Sequence, residues 1–348
     1  MFSHIFLFVL LSWITWTNER GYIKYTFEKN TFNNFILPVC ISKRYKCYPF
    51  VLSTSIKEVL VLDGNNYMNG YLAEKSKTFK KSNELVSNYF HSYYYKGKYG
   101  TDTFFVEETD IHIKDFKFIL VSDGIYMDNF NGILGLGNDY IDFGTELNFI
   151  QSLVNNGNID KPVFTIGNNT IVFGPNNDTY PSENIKKPYT CKIRNKGKLS
   201  ELLTCDINSV LITGEDIIYI DNNPRLLKID IEHVGISCPK SFFLYLQEKF
   251  FGSYIEKETC KVFENTVFPC YIQCEEDVIQ SLSEIEIIFF IDKWNIKYTV
   301  GELFQDKKFL ITYIKGEEDW GFGHIIRENF LMTIDKKDDL IYFIKKQK

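Results

Sequence analysis

The sequence lacks the short motifs that mark the commonest nucleotide and metal sites. It contains no GxxxxGK[ST] loop for phosphate, no HExxH pair for zinc and no closely spaced CxxC pair. Histidine occurs only 5 times in 348 residues, and the histidines are scattered. We therefore expect neither a cofactor nor a bound metal ion.

The chain also lacks an excess of basic residues. Its formal net charge is -6 at pH 7 and its pI is about 5.6. Because phosphate binding requires a basic face, nucleic acid is not the expected partner.

Long apolar runs are absent beyond the first residues. Residues 5–16 are apolar and are followed by polar residues 17–20. This run is too short to span a bilayer comfortably and fits the core of a signal peptide, predicted over residues 1–20. A buried N-terminal helix is the alternative. The chain is expected in the secretory pathway, secreted or lumenal, where the sequons at Asn168 and Asn177 would carry glycans.

The number of cysteines is even, which in an oxidising compartment indicates disulfide bonds. There are 8 cysteines. Cys40–Cys47 and Cys191–Cys205 are candidate local pairs, although the sequence leaves the connectivity open. Cys260, Cys270 and Cys274 are an alternative set of metal ligands, but no nearby histidine completes it. Disulfide bonding is the favoured interpretation.

Aromatic residues are abundant, with 31 Phe and 22 Tyr, and they favour pleated, half-buried surfaces. Short strand-like runs, such as residues 59–62, 163–166 and 170–173, alternate with turn signals. Helical spacing is confined to residues 144–155 and 240–251. Many short strands without a βαβ rhythm predict an all-β fold.

Three segments follow one another in the order seen in one protein family. Residues 99–101 read YGT, residues 130–137 read FNGILGLG, and residues 323–343 carry a Gly-His pair followed by an aromatic, strand-like tail. Together they resemble the flap, the FDGILGLG segment and the closing ILGD segment of pepsin-like aspartic proteases, including the plasmepsin branch. His324 stands where that family has an aspartate.

The resemblance implies a bilobal all-β fold, with a short prosegment-like region over 21–47, an N-terminal lobe over 48–180 and a C-terminal lobe over 181–348. It also implies a monomer that binds a polypeptide in the cleft between the lobes. Tyr99, Gly100 and Thr101 would form the tip of a hairpin that covers the substrate.

Aspartic proteases activate water between two carboxylates that share one proton. Each carboxylate belongs to a D-T/S-G loop, one loop per lobe. The second loop matches Asp230, because Pro239 follows it at the family's distance. Ile231, Glu232 and His233 then replace the hydroxyl residue, the glycine and the next hydroxyl residue. Glu232 adds bulk and a negative charge beside the catalytic position.

The first loop has more than one placement. An apolar strand, residues 59–62, runs into Asp63 and Gly64, as a strand runs into the family's first aspartate. A second placement uses residues 27–30, upstream of Cys40 and Cys47, and contains no aspartate. Asp63 and Gly64 also fit a plain hairpin turn. Asp63 is the preferred partner of Asp230.

Neither placement retains a D-T/S-G loop, which predicts impaired or absent peptidase activity. The expected function is that of a secreted, peptide-binding homologue of the family. The alternatives are an atypical active endopeptidase that uses Asp63 and Asp230, and a secreted surface or adhesion protein on the same scaffold.

Overall fold

The computed structural model describes most of the chain, divided into two compact units. The described residues are 15–19, 21–27, 35–43, 46–90, 93–107, 109, 111–125, 130–137, 148–176, 188–194, 203–213, 218–221, 225–264 and 269–346. Unit 1 comprises Met1–Pro188 and Arg327–Lys348, and unit 2 comprises Tyr189–Ile326.

Strands dominate the described residues. The strands before residue 180 are β1 (Thr15–Glu19), β2 (Tyr22–Thr26), β3 (Ile36–Ile41), β4 (Cys47–Ser53), β5 (Val59–Leu62), β6 (Lys80–Phe90), β7 (Tyr93–Val106), β8 (His112–Asp123), β9 (Gly132–Gly135), β10 (Val163–Ile166) and β11 (Thr170–Phe173). The later ones are β12 (Tyr189–Lys192), β13 (Thr204–Thr213), β14 (Ile218–Asp221), β15 (Arg225–Ile229), β16 (Ile236–Ser237), β17 (Cys260–Phe263), β18 (Tyr271–Cys274), β19 (Glu286–Ile291), β20 (Trp294–Thr299), β21 (Phe304–Gln305), β22 (Lys308–Phe309), β23 (Ile311–Thr312), β24 (Trp320–Phe322), β25 (Phe330–Asp335) and β26 (Leu340–Lys345).

The helices are short. They are α1 (Phe149–Asn155), α2 (Lys240–Tyr245), α3 (Gly252–Glu256), α4 (Glu276–Leu282) and α5 (Ile325–Asn329), with a π-helical turn, Leu246–Phe250, directly after α2. Pro239 precedes α2, because a residue without an N–H is tolerated where the helix has no partner for that donor. The all-β prediction is therefore confirmed, and both predicted helical segments contain a helix.

Unit 1 contains two sheets. One runs β1-β2-β11-β10-β25-β26, so strands from both ends of the chain flank the β10–β11 hairpin. The other runs β3-β4-β9-β5-β8-β7-β6, and β3 also pairs with β7. All residues of β5 are buried, which explains its uninterrupted apolar sequence. The core beneath it is the cluster of Ile56, Leu60, Leu62, Tyr95, Ile119, Val121, Ile125 and Ile133.

Unit 2 is built on a sheet of order β20-β19-β13-β15-β24-β16-β23, with β14 added to β13. A smaller sheet runs β17-β18-β22-β21. Trp320 of β24 lies between Phe242 and Phe289, with ring centroids 4.8 Å and 5.4 Å away, so α2 packs on the strand at the centre of the sheet. Burial of these rings fixes the strands from which the candidate site projects.

Three disulfide bonds join described cysteines. Cys40–Cys47 and Cys191–Cys205 are bonded, which confirms both candidate pairs, and Cys260–Cys274 is the third. Cys238 forms no disulfide bond and is buried, and Cys270 is buried as well. Two of the three proposed metal ligands are thus bonded to each other.

The predicted domain boundaries stay predictions. Residues 1–14 and 20 of the predicted signal peptide lie outside the described residues, and β1 pairs with β2 as a hairpin. Within the predicted prosegment-like region, β2 and β3 are strands of the two sheets of unit 1. No helix among the described residues is long and apolar enough to cross a membrane.

Candidate active-site loops

Asp230 stands at the start of a loop between two strands that flank the same neighbour. The strand β15 pairs with β24 in parallel and ends at Ile229, opposite Phe322. After the loop, β16 pairs with the other side of β24 in antiparallel fashion, and Ile236 is also opposite Phe322. The Asp230 N–H donates to the Phe322 carbonyl at 3.0 Å. We call residues 230–235 the unit 2 loop.

Unit 1 contains a loop with the same register. The strand β4 pairs with β9 in parallel, with Leu52 opposite Leu134 and Ser53 opposite Gly135. After the loop, β5 pairs with the other side of β9, and Val59 is opposite Leu134. Leu52 and Val59 therefore correspond to Ile229 and Ile236 of unit 2. We call residues 53–58 the unit 1 loop.

This register makes Ser53 the counterpart of Asp230. Ser53 follows Leu52, which is opposite Leu134 of β9. Asp230 follows Ile229, which is opposite Phe322 of β24. The local hydrogen bonds agree. The Ser55 N–H donates to Ser53 Oγ at 3.1 Å, and the Glu232 N–H donates to Asp230 Oδ1 at 3.2 Å. The two loops hold their first side chain in the same way.

The side chains of the two loops differ in chemistry. In the unit 1 loop, Ser53 and Thr54 are both fully buried hydroxyl residues. In the unit 2 loop, Asp230 is half-buried and the next residue, Ile231, is buried and apolar. The pattern acid-hydroxyl-glycine is thus broken at its first and third positions in unit 1, where Ser53 and Ser55 stand, and at its second and third positions in unit 2, where Ile231 and Glu232 stand.

Asp63 has a different role from the one predicted. It lies at the end of β5, beyond the unit 1 loop, and its N–H donates to the Val121 carbonyl at 2.9 Å. Its Oδ1 accepts the backbone N–H of Asn65 at 3.0 Å and the side-chain amide of Asn65 at 3.1 Å. The Gly64 N–H donates to the Tyr71 carbonyl at 2.8 Å. Asp63 is a turn residue after β5. The turn is not the plain hairpin of the other sequence interpretation, because Asp63 and Tyr71 form a parallel bridge and β5 pairs with β8 and β9.

The alignment of Asp63 with Asp230 is therefore corrected to Ser53. The competing placement at residues 27–30 falls largely outside the described residues, since only Phe27 is described. Residues 50–62 read FVLSTSIKEVLVL, in which an apolar strand enters Ser-Thr-Ser and a second apolar strand follows. This strand-loop-strand pattern indicates the position of the first loop. A search for an aspartate does not find it, because the loop begins with a serine.

Tyr99, Gly100 and Thr101 lie in the middle of β7, not at a hairpin tip. Tyr99 is opposite Ile119 of β8, and Thr101 is opposite Lys80 at the start of β6. The β6–β7 hairpin turns at the other end, beyond the pair Phe90 and Tyr93. The Tyr99 ring packs against the core cluster of unit 1. The predicted flap tip is thus a strand segment, and its tyrosine is partly buried in the core.

Two histidines brace the unit 2 loop. The Gly235 N–H donates to Nδ1 of His324 at 3.2 Å, and the His324 N–H donates to the His233 carbonyl at 2.9 Å. The Nε2 of His233 lies 3.3 Å from Oγ1 of Thr312. His324 is buried, so its ring serves as an acceptor inside the fold. These contacts position the loop that carries Asp230.

The buried carboxylate of Asp102 links residues 71–79 to strand β7 in unit 1. It accepts hydrogen bonds from the Tyr71 hydroxyl, from Ser76 Oγ at 2.7 Å and from Thr78 Oγ1 at 2.5 Å. The Thr103 N–H adds a fourth at 2.7 Å. Burial and the neighbouring Asp102 carboxylate raise the pKa of Tyr71 above its ordinary value. The cluster is fully bonded and holds residues 71–79 onto β7.

No group of three or more His, Cys, Asp or Glu side chains that could hold a metal ion occurs among the residues that the structure describes.

The comparisons with known proteins agree with this geometry. The family model of the eukaryotic aspartyl protease matches residues 51–310, which include both loops. The comparison with individual curated proteins gives no match.

Proposed function

Because the chain belongs to the eukaryotic aspartyl protease family, we propose that it is a peptide-binding member that has lost peptidase activity. The observation that carries the proposal is the register that makes Ser53 the counterpart of Asp230. Together with the all-β fold in two units, family membership supports a pepsin-like protease homologue that takes polypeptide ligands.

The chemistry of the family requires two carboxylates, one acting as base and the other as acid on the same water molecule. A serine hydroxyl cannot replace the first carboxylate, because it neither ionises nor accepts a proton near neutral or acid pH. Asp230 alone would leave the attacking water without its second proton-transfer group. Loss of one member of such a unit typically lowers kcat by factors of about 10³ or more.

The unit 2 loop adds a second obstacle. Ile231 removes the hydroxyl that the family uses beside the aspartate, and it is buried, so no polar group takes its place there. Glu232 introduces another carboxylate two residues from Asp230. A neighbouring negative charge opposes ionisation of a carboxyl group, which disturbs the sharing of a proton. The single substitution Ser53→Asp is therefore not expected to restore peptidase activity.

Retention of the framework supports peptide binding. Both loops keep the strand pairing and the N–H to side-chain hydrogen bond at 3.1 Å and 3.2 Å, so the loss of the acid in the unit 1 loop has not disrupted either loop. Extended peptides bind such β-proteins chiefly through main-chain hydrogen bonds, which do not require catalytic acids. We propose an extended polypeptide as the ligand, bound by a monomer in the secretory pathway. The three disulfides support that compartment.

The test of lost activity is a cleavage assay with a diverse peptide library at acid and neutral pH, read by mass spectrometry. We expect no cleavage by the natural chain. A restored variant carries Ser53→Asp, Ser55→Gly, Ile231→Thr and Glu232→Gly, which completes two Asp-Thr-Gly loops. It is expected to cleave peptides with inhibition by pepstatin.

The matched control carries Ser55→Gly, Ile231→Thr and Glu232→Gly but keeps Ser53. It should stay inactive, because it still has one acid. Pepstatin-sensitive turnover by the natural chain would refute the proposal. Turnover that disappears in Asp63→Asn would instead support the atypical protease based on Asp63 and Asp230.

Peptide binding is tested separately by titrating the natural chain with labelled peptides from the same library. Saturable binding without cleavage is the expected result. Absence of both binding and cleavage would favour the scaffold function of a surface or adhesion protein.

A further inference from the structure

The turn between β10 and β11 contains one of the two sequons, Asn168-Asn169-Thr170. The motif Asn-x-Ser/Thr accepts N-linked glycans in the secretory pathway, but a sequence does not show whether the asparagine is accessible once the chain has folded. The second sequon begins at Asn177, which lies outside the described residues. The structure therefore bears on Asn168.

Asn168 and Asn169 form the tip of a two-residue β-hairpin. The Gly167 N–H donates to the Thr170 carbonyl at 2.7 Å, which closes the hairpin directly beneath the two asparagines. Both asparagines are exposed, whereas all residues of β10, Val163–Ile166, are buried. Exposed hairpin tips with polar residues tolerate added bulk better than the strands that they connect. The sequon thus lies where a large group can extend into solvent.

The two asparagine side chains differ in their contacts. The Thr170 hydroxyl donates to Oδ1 of Asn169 at 3.3 Å, and the Asn169 carbonyl accepts the Phe27 N–H at 2.7 Å. The Asn168 side chain makes no hydrogen bond with any residue in the part of the chain that the structure describes. A glycan on Nδ2 of Asn168 therefore replaces no hydrogen bond between described residues.

The strand pairing beside the turn is compatible with a large group at the tip. β11 pairs with β2 and β10 pairs with β25, and these ladder bonds run along the sides of the strands. Neither Asn168 nor Asn169 has a positive φ, so the backbone of the turn does not require asparagine at either position. Other side chains can replace Asn168 without backbone strain, which makes the site accessible to substitution experiments.

We propose that Asn168 carries an N-linked glycan. In this modification, Nδ2 of Asn168 bonds to the anomeric carbon of the first sugar of a lipid-linked oligosaccharide. The bond between that carbon and the pyrophosphate of the lipid breaks, and one amide proton passes to a base of the transferase, so nothing is oxidised or reduced. The proposal rests on the secretory compartment of the proposed function, which the three disulfides support, and not on the loss of peptidase activity.

The test is expression of the full chain in cultured eukaryotic cells that glycosylate secreted proteins, followed by mass spectrometry of the peptide that contains Asn168. A peptide N-glycosidase converts a glycosylated asparagine into aspartate. For the protein recovered from the secretory pathway, we expect a glycan on this peptide before the treatment and aspartate at position 168 after it. A sample incubated without the enzyme shows whether asparagine is lost spontaneously.

Four variants separate the sequon from the turn. Asn168→Gln and Thr170→Val each remove one half of the motif, and valine keeps the branched shape of threonine, so both should lose the modification completely. Asn169→Gln and Thr170→Ser keep the motif, and both should keep the modification. Thr170→Ser is thus the matched control for Thr170→Val. Thermal unfolding of each variant reports whether the fold is intact.

Unmodified Asn168 in protein recovered from the secretory pathway would overturn the proposal and leave the proposed compartment unaffected. Retention of the chain in the cytosol would overturn both. Modification that persists in folded Thr170→Val would show that the sequon is not what is recognised, and the proposal would be wrong. A glycan at Asn177 without one at Asn168 would also refute it.

Discussion

Asp102 gives the sharpest test of how unit 1 is held together. Its carboxylate is fully buried and accepts hydrogen bonds from Tyr71, Ser76, Thr78 and the Thr103 N–H. In Asp102→Ala, the buried Tyr71 hydroxyl loses its acceptor, at a cost of about 1–3 kcal/mol. Ser76 and Thr78 are less buried and can turn to water, so each loses about 1 kcal/mol. We expect the free energy of unfolding to fall by about 3–5 kcal/mol.

The measurement is urea unfolding followed by tyrosine and tryptophan fluorescence, combined with hydrogen exchange of residues 71–79. Asp115→Asn is the control. Asp115 is an exposed acid that pairs with Lys80 at 2.6 Å, and asparagine removes the charge while tolerating the φ of +49° at this position. Removal of such a surface pair costs less than about 1 kcal/mol. A loss for Asp102→Ala that is no larger than the loss for Asp115→Asn would refute the reasoning.

A double-mutant cycle separates the hydrogen bond from a general effect of substitution. Tyr71→Phe removes the donor that Asp102 accepts. If the two groups are coupled as the structure has them, the double variant should lose at least about 1 kcal/mol less than the sum of the single losses. Additive losses would show that Tyr71 and Asp102 do not stabilise each other.

Three other predictions concern a buried thiol, backbone strain and alkaline stability. Cys238 is buried and forms no disulfide bond, and burial raises the pKa of its thiol, so a thiol reagent should modify Cys238 only after denaturation. Modification of Cys238 in the native protein, detected by mass spectrometry of its peptide, would contradict this. Gly235→Ala should destabilise unit 2 by about 2–4 kcal/mol, because Gly235 has a φ of +96° and a Cβ would lie 2.2 Å from the Leu310 carbonyl oxygen. The control Gly157→Ala, at a φ of +68° with nothing within 4 Å of the added Cβ, should cost about 1 kcal/mol. Equal losses of stability in thermal unfolding would refute the steric argument. Burial raises the pKa of Tyr25 and Tyr71, so the folded state keeps these protons when the unfolded chain has lost them. These two groups should therefore leave the free energy of unfolding unchanged below about pH 10 and lower it above that pH. A spectroscopic titration in which every tyrosine ionises near pH 10 without unfolding would contradict this.

The fold could be predicted because its strands and disulfide bonds depend on residues that are close together in the sequence. Val59–Leu62, Val163–Ile166 and Thr170–Phe173 are short apolar runs bounded by turn residues, and each forms a strand over the predicted residues. Cys40–Cys47 and Cys191–Cys205 are close in sequence, which keeps the alternatives for pairing few. Local patterns of this kind depend on side-chain period and turn chemistry, which a single sequence contains.

The candidate site was predictable in one unit and not in the other. Asp230 kept its acid and its distance to Pro239, so the family pattern located it. The unit 1 loop has neither the acid nor the glycine of the family pattern, because Ser53 and Ser55 stand at those positions. Only the pairing register of β4 and β5 on β9 identifies Ser53 as the counterpart of Asp230. The YGT tripeptide failed for a related reason. Three residues do not encode the lengths of β6 and β7, and those lengths decide where the hairpin turns.

The strand order of unit 1 has a consequence for how the protein is made. On the ribosome, β10 and β11 are synthesised long before β25, the strand that pairs with the other side of β10. Unit 2 is a continuous segment, Tyr189–Ile326, and all its strands are available earlier. The edge of β10 therefore lacks its partner strand until residues 330–335 have been synthesised, and an unpaired edge strand is a site at which nascent chains pair with one another.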